Sequence, residues 1–388
     1  MTLIAAGAVV TPGGVHRPGW VETSAGRIID VGAGVPPRPP DHDFADAIVV
    51  PGFVDIHVHG GGGASYTEPV ADEISRAAAF HRRHGTTTTL ASLVTAAPAE
   101  LLTQVRALTA ATRAGVIAGI HLEGPWLSAA RCGAHDAGQL RDPDPAAIDT
   151  LLEAADGAIR MVTVAPELPN GLKAVERLAA AGVVVAVGHT DASYDQTRAA
   201  IDLGATVGTH VFNAMRPLHH RDPGPAMALL EDPRVTVELI ADGVHVHDAL
   251  FRHVVASAGS ERVALITDAM AAAGLPDGSF RLGALDVEVE NAVARVRGRS
   301  TIAGSTATMD RVFRAAVHNP DADAELIAAA AMTATTPAEA LGLTRVGRLA
   351  PGRTADLVVL DADLQVAAVM TSGELAIIRA SVPDVAAP

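Results

Sequence analysis

From position 51 onward the chain alternates short apolar, β-branched runs with longer Ala-rich stretches of helical periodicity, the pattern of repeated βα units around a parallel sheet. Eight such runs are predicted as strands, at 53–59, 86–93, 116–123, 159–167, 183–189, 205–212, 235–242 and 263–268. Several stay apolar until a polar residue arrives at the last position. A strand covered on both faces reads this way when its C-terminal end opens onto a site. Eight units with polar ends predict a closed (β/α)8 barrel spanning 51–347.

The two ends of the chain read differently. Short strands at 3–10, 20–23 and 27–31 are separated by Gly and Pro and followed by a Pro-rich loop at 35–40, and strand character returns at 348–361 and 375–379. The simplest packing joins 1–50 and 348–388 in one small β-sandwich domain. An alternating segment at 280–299, with runs 285–290 and 293–297, predicts a β-hairpin inserted after the eighth strand.

The length of 388 residues accommodates one large and one small domain, and 49% hydrophobic residues suffice for a packed core. A formal net charge of -15 argues against nucleic acid and anionic membranes as partners, so an anionic substrate needs a local cationic clamp. Cys132 is the only cysteine, which excludes an intrachain disulfide. The first ten residues lack a basic leader and no apolar run is long enough to span a bilayer, so a cytoplasmic protein is expected.

Chemistry gathers at the strand ends. His57 and His59 lie two apart on the first strand, where a period of two puts both imidazoles on one face. Glu123 closes the third strand after an apolar run, and a buried carboxylate is costly unless paired or metal-bound. His189 and His210 close the fifth and sixth. A lone histidine at such a place is usually a satisfied core or loop residue; recurrence at successive strand ends is what makes these ligands. Two imidazoles and a carboxylate are a three-ligand set for a zinc-like ion, and Asp268, ending the eighth strand, sits where a base serving the attacking water belongs. Lys173, the only lysine, falls in the helix after the fourth strand, so a carbamylated-lysine bridge is excluded.

In order along the chain, Pro51-Gly52-Phe53-Val54-Asp55-Ile56-His57-Val58-His59-Gly60, His121-Leu122-Glu123-Gly124-Pro125, Gly188-His189-Thr190, Thr209-His210-Val211-Phe212-Asn213-Ala214-Met215, Thr267-Asp268-Ala269 and Ala355-Asp356-Leu357-Val358-Val359-Leu360 resemble the N-acetylglucosamine-6-phosphate deacetylases of the amidohydrolase superfamily. The resemblance implies hydrolysis of the acetamide of a phosphorylated amino sugar. It assigns the main ion to Glu123, His189 and His210, a second to His57 and His59, and general base and acid to Asp268. One or two divalent ions per subunit follow, Zn2+ or Fe2+ first, with Mn2+ and Co2+ compatible with such ligands. It further implies a pocket lined by Ala134, His135, Asn213, Ala214, Asp242, His245, Ile302, Ala303 and Gly304. Arg221 becomes a phosphate clamp reaching the neighbouring subunit's site in a homodimer. The alternative is an amidohydrolase for another N-acyl amino sugar or an N-acyl amino acid. His219, His220 and His247 are expected to be surface residues and Cys132 inert.

Overall fold

The computed structural model describes residues 1–378. Eight parallel strands run around a barrel in chain order: β1 (Phe53–Asp55), β2 (Thr86–Leu93), β3 (Gly119–Glu123), β4 (Ile159–Val164), β5 (Val184–Val187), β6 (Ala205–Gly208), β7 (Thr236–Ile240) and β8 (Val263–Ile266). The ring closes just beyond the ends of β1 and β8, where Asp268 N–H donates to His57 O at 2.9 Å and His59 N–H to Ala269 O at 2.8 Å. Helices α1 (Ala71–Arg83), α2 (Pro98–Arg113), α3 (Pro145–Ala155), α4 (Gly171–Ala180), α5 (Tyr194–Asp202), α6 (Gly224–Glu231), α7 (Asp248–Ala258) and α8 (Met309–Ala316) follow the successive strands.

Local signals start these helices where the chain needs them. Asp144 caps α3 by accepting from Ala147 N–H ahead of Pro145, and Ser193 with Gln196 forms a reciprocal capping box on α5. Strand residues divide by parity: Val237 and Leu239 face the surrounding helices, whereas Ile240 joins Val54, Ile56, Leu90, Met161 and Ile266 inside the barrel. Ala338 and Leu341 pack against this interior cluster.

β2 has the bounds the sequence predicts, and the other seven strands are shorter. His189, His210 and Asp268 take positive φ of 47°, 24° and 47°, so the backbone leaves the extended conformation at the ligand positions and not after them. Likewise β3 begins at Gly119 because Val116 N–H donates to Ala111 O and still belongs to the end of α2. His57 and His59 stand beyond the end of β1, in the closing segment.

Both ends of the described chain contribute to one eight-stranded sheet. It includes Thr2–Thr11, Gly14–His16, Gly19–Ser24, Arg27–Ala33 and His42–Pro51 with Leu357–Leu360, Val366–Thr371 and Glu374–Ile377. Gly14–His16, His42–Pro51 and Val366–Thr371 were not foreseen, His42–Pro51 because Asp43 and Asp46 interrupt its apolar character. Ile28 N–H donates to Arg353 O and Ala355 N–H to Gly26 O. These bonds fold the sheet over a core that includes Ile4, Val21, Ile28, Val49, Leu357 and Met370. Arg379, the end of the last expected strand, and the rest of 379–388 lie outside the described residues.

The expected hairpin at 280–299 is a three-stranded meander, Gly278–Leu282, Leu285–Glu290 and Val293–Val296. The extra strand is held because the Asp277 carboxylate accepts from Asn291 and Ala292 N–H, tying its start to the far turn. Its apolar face packs with Val94, Ala134, Met270 and Ala303 beside the barrel mouth.

Candidate active site

Glu123, the last residue of β3, is the hub of a buried cluster at the C-terminal mouth of the barrel. Its Oε1 lies 2.9 Å from His210 Nε2, 3.0 Å from His189 Nε2 and 3.4 Å from His57 Nε2. Oε2 lies 3.2 Å from His59 Nε2 and 3.4 Å from His135 Nε2. Asp268 Oδ1 completes the group, 3.1 Å from His59 Nε2 and 3.6 Å from His57 Nε2. The five side chains expected as ligands and the expected base therefore meet within one small volume.

Two observations test whether a divalent ion fits. His189 Nε2 and His210 Nε2 approach to 3.1 Å and each lies within 3.0 Å of Glu123 Oε1, so three potential ligand atoms crowd one point that neutral rings satisfy only in part by hydrogen bonds. Around a tetrahedral ion with bonds of about 2.0 Å, donors stand roughly 3.3 Å apart, so the Glu123–His189–His210 triangle is near the spacing a cation requires. In addition, the buried His57 Nε2 has no hydrogen-bond partner among the described residues. The cluster can hold a metal; a second set of donors, His57, His59 and Asp268, adjoins the first through Glu123.

Electrostatics agree with the geometry. Burial would raise the Glu123 pKa, but His57, His189 and His135 more than offset it and hold the carboxylate well below its usual range. Burial would lower His59, yet Asp268 and Glu123 push it up to about 9. Asp268 and Glu123 thus favour the protonated ring of His59, a proton that a bound divalent ion would displace. Asp268 is held at about 2: burial raises it, and His57 and His59 more than compensate.

The outer nitrogens of the rings sort the histidines by role. His59 Nδ1 faces Ser92 O at 3.2 Å and His189 Nδ1 faces Arg131 O at 3.0 Å. Each carbonyl accepts an Nδ1–H, which leaves an Nε2 lone pair for a cation. His135 is reversed. Its Nδ1 accepts from Thr95 N–H at 3.2 Å, so Nε2 carries the proton and can donate it.

A cavity of about 400 Å³ opens above the cluster, and Ala134, His135, Asn213, Ala214, His245, Ile302 and Gly304 line it as expected. Gly304, at φ +61°, has to be glycine: a Cβ there would stand 2.8 Å from Asp268 O. Asp242 and Ala303 were expected to line this cavity and do not. Ala303 is fully buried against the meander, and Asp242 acts through His245, whose Nδ1 donates to Asp242 Oδ2 at 2.7 Å. Arg221 is exposed, with Nη1 2.8 Å from His220 Nε2, outside the lining of its own pocket. His219 and His220 are exposed loop residues, His247 caps α7, Lys173 is exposed on α4, and Cys132 is half-buried between two lining residues.

Sequence reasoning missed the residues behind the cluster. Glu238 accepts from His57 Nδ1–H at 3.1 Å, Asp55 is tied to the Thr267 hydroxyl, and His121 bridges Ser92 Oγ at 2.9 Å and Thr163 Oγ1 at 2.8 Å. The available signal was a polar residue inside an apolar strand, as in Thr236-Val237-Glu238-Leu239-Ile240. Arg131, at the cavity rim and paired with Asp191 at 2.8 Å, carried no comparable signal.

Comparison with known proteins follows the same lines. Residues 48–376 match the amidohydrolase family model. The chain is 36% identical over 366 residues to N-acetylgalactosamine-6-phosphate deacetylase of Escherichia coli O157:H7, covering 92% of this chain and 96% of that protein. It is 37% identical over 348 residues to N-acetylglucosamine-6-phosphate deacetylase of Bos taurus, covering 86% and 84%. The crystal structure of N-acetyl-D-glucosamine-6-phosphate deacetylase from Mycobacterium smegmatis matches with a TM-score of 0.95 at 56% identity, over 97% of this chain and 100% of that one. A mutant of the same enzyme in complex with N-acetyl-D-glucosamine-6-phosphate matches at 0.94 and 56%, over 96% and 98%. The chain belongs to the amidohydrolase family and, within it, to the N-acetylglucosamine-6-phosphate deacetylases.

Proposed function

We propose that the protein hydrolyses the acetamide of N-acetylglucosamine 6-phosphate, releasing acetate and glucosamine 6-phosphate. The observation that carries this reading is the convergence of Glu123 Oε1, His189 Nε2 and His210 Nε2 to within 3.1 Å of one another, with Asp268 beside them on the wall of a sugar-sized cavity. Glu123, His189 and His210 would hold the main ion, and His57 and His59, with Asp268 and the second oxygen of Glu123, a second. Zn2+ or Fe2+ suits this mixed imidazole and carboxylate set, and Mn2+ or Co2+ is compatible with it. When bound, such an ion supplies Lewis acidity and brings the pKa of its water from about 15.7 towards roughly 7.

The remaining chemistry belongs to side chains. Asp268, ionised at neutral pH, accepts the proton of the attacking water as its oxygen bonds to the acetyl carbon. His135 donates its Nε2–H to the carbonyl oxygen, where negative charge develops. Asp268 then delivers its proton to the nitrogen as the C–N bond breaks. His245, held by Asp242, and Asn213 hydrogen-bond the sugar. Ala134, Ala214, Ile302 and Gly304 shape the pocket, with Ala303 behind it. The phosphate is clamped by Arg221 of a second copy in a homodimer, since Arg221 stands away from its own pocket.

The relative that acts on the galactose epimer makes substrate choice the sharpest test. Acetate release from metal-replete protein should be fastest with N-acetylglucosamine 6-phosphate, and omitting the phosphate should lower kcat/KM at least ~100-fold, given roughly 1.5–3 kcal/mol per charged hydrogen bond. Faster release from N-acetylgalactosamine 6-phosphate would move the assignment to that sugar. Equal rates with and without phosphate would overturn the phosphate reading.

A further inference from the structure

Glu238 is a carboxylate where the fold does not need one. It sits in the middle of β7 on the inward face shared with Ile240, it is fully buried, and an apolar residue there would extend the interior core at no electrostatic cost. Its Oε2 accepts twice, from His57 Nδ1–H at 3.1 Å and from His210 main-chain N–H at 3.2 Å. Oε1 is buried without a partner among the described residues. A buried carboxylate with one oxygen unpartnered is unfavourable unless a donor or a cation lies close by. What lies close by is the His57 ring, whose opposite nitrogen, Nε2, is also buried without a partner and lies 3.4 Å from Glu123 Oε1 and 3.6 Å from Asp268 Oδ1.

We propose that Glu238 is the positioning residue for a second metal ion: by accepting the Nδ1 proton of His57 it fixes the tautomer and the ring plane that present Nε2 to an ion shared with His59, Asp268 and Glu123. This rests on the two-ion arrangement of the proposed function. The dependence is selective. Glu238 reaches across from β7 to the segment after β1, past β8, and touches the imidazole of His57, whereas for His210 it touches only the main-chain N–H. His189 is oriented by Arg131 O and makes no hydrogen bond with Glu238 among the described residues. Removing the carboxylate should therefore weaken the second ion and spare the first.

The test counts ions in the intact protein, not turnover. Wild type and Glu238→Gln, stripped and dialysed against buffered free Zn2+, are compared for ions per subunit, with circular dichroism as a check on folding. Glutamine keeps the volume and one acceptor oxygen, but a neutral amide oxygen shared by the His57 Nδ1–H and the His210 N–H is a weaker acceptor than the carboxylate and holds the His57 ring less firmly. Wild type should take two ions. Glu238→Gln should take the first at wild-type affinity and the second only at about 10- to 100-fold higher free Zn2+. His57→Asn should also stop at one ion, and adding Glu238→Gln to it should change nothing further, which a merely structural role would not produce. Unchanged affinity for both ions, equal weakening of both, or a wild type that takes one ion each overturns the proposal. A one-ion wild type that still releases acetate leaves the deacetylase reading standing. Conversely, two ions without acetate release would sink that reading while the Glu238 assignment survives.

Discussion

Asp268 shows how much one position has to satisfy. Its backbone turns through φ 47°, its N–H closes the barrel onto His57 O, its carbonyl accepts from Ser305 N–H at 2.7 Å, and its carboxylate faces His59. Burial argues for a neutral acid, yet the neighbouring imidazoles keep it ionised, which is the form a base requires. Replacing Asp268 with Asn preserves size and removes the proton acceptor. The expected outcome is a fall in kcat of roughly 100- to 10,000-fold, with the ion at Glu123, His189 and His210 retained. Acetate release and metal content measured on the same sample decide it, and substantial turnover in metal-replete Asp268→Asn would remove Asp268 from the role of base. Asp268 was legible in the sequence because a carboxylate directly after Val263-Ala264-Leu265-Ile266-Thr267 has no reason to be there in a purely structural strand. Glu238 was equally anomalous within β7, but its meaning depended on His57 arriving from β1.

Strands and helices were legible as units and less so at their ends. Apolar parity and Ala-rich periodicity located all eight βα units, since both follow from local chain geometry. The ends of β5, β6 and β8 moved because histidine and aspartate in the left-handed region leave no compositional mark, unlike glycine. Helix α8 offers a separate test of how such an end is held. Asp310, in its first turn, lies 3.2 Å from His84 Nδ1 and 3.4 Å from Arg314 Nη1. Burial raises its pKa, while His84, then the Thr308 hydroxyl and Arg314, more than offset this and hold it at about 2, against an ordinary 3.8. Because the folded value is the lower one, the stabilisation is complete above about pH 4 and is lost as the pH falls through about 2. Asp310→Asn should therefore cost about 2 kcal/mol at pH 7, with the gap to wild type narrowing below pH 4. Urea unfolding of both proteins across that range measures it. A gap that does not change with pH would show that the side chain's packing matters and its charge does not.

For the molecule as a whole, 44 acidic residues outnumber 29 Lys and Arg, so an anionic phosphate needs a locally placed cation. No helix among the described residues is long and apolar enough to cross a membrane. Arg221 is exposed and lies outside its own pocket, so its proposed use requires a second copy. Complementation tests this directly. Arg221→Ala and Asp268→Asn should each be nearly inactive alone, yet a mixed dimer holds one site with both Asp268 and a partner's Arg221. After subunit exchange, activity should recover to about a quarter of wild type, the fraction of intact sites when copies pair at random. No recovery in verified mixed dimers would place the phosphate clamp elsewhere.

The barrel, the candidate donors and the candidate base could be read along the chain because each is a local departure from a local pattern: a polar residue ending an apolar run, repeated at matching places. Pairing is another matter. That Glu123 faces five imidazoles at once, that His135 carries its proton on the opposite nitrogen from His59 and His189, and that Asp242 reaches the pocket only through His245 depend on distances between segments remote in sequence. Hydrogen bonds and metal coordination act over about 3 Å, and no one-dimensional pattern carries that length until the chain has closed on itself.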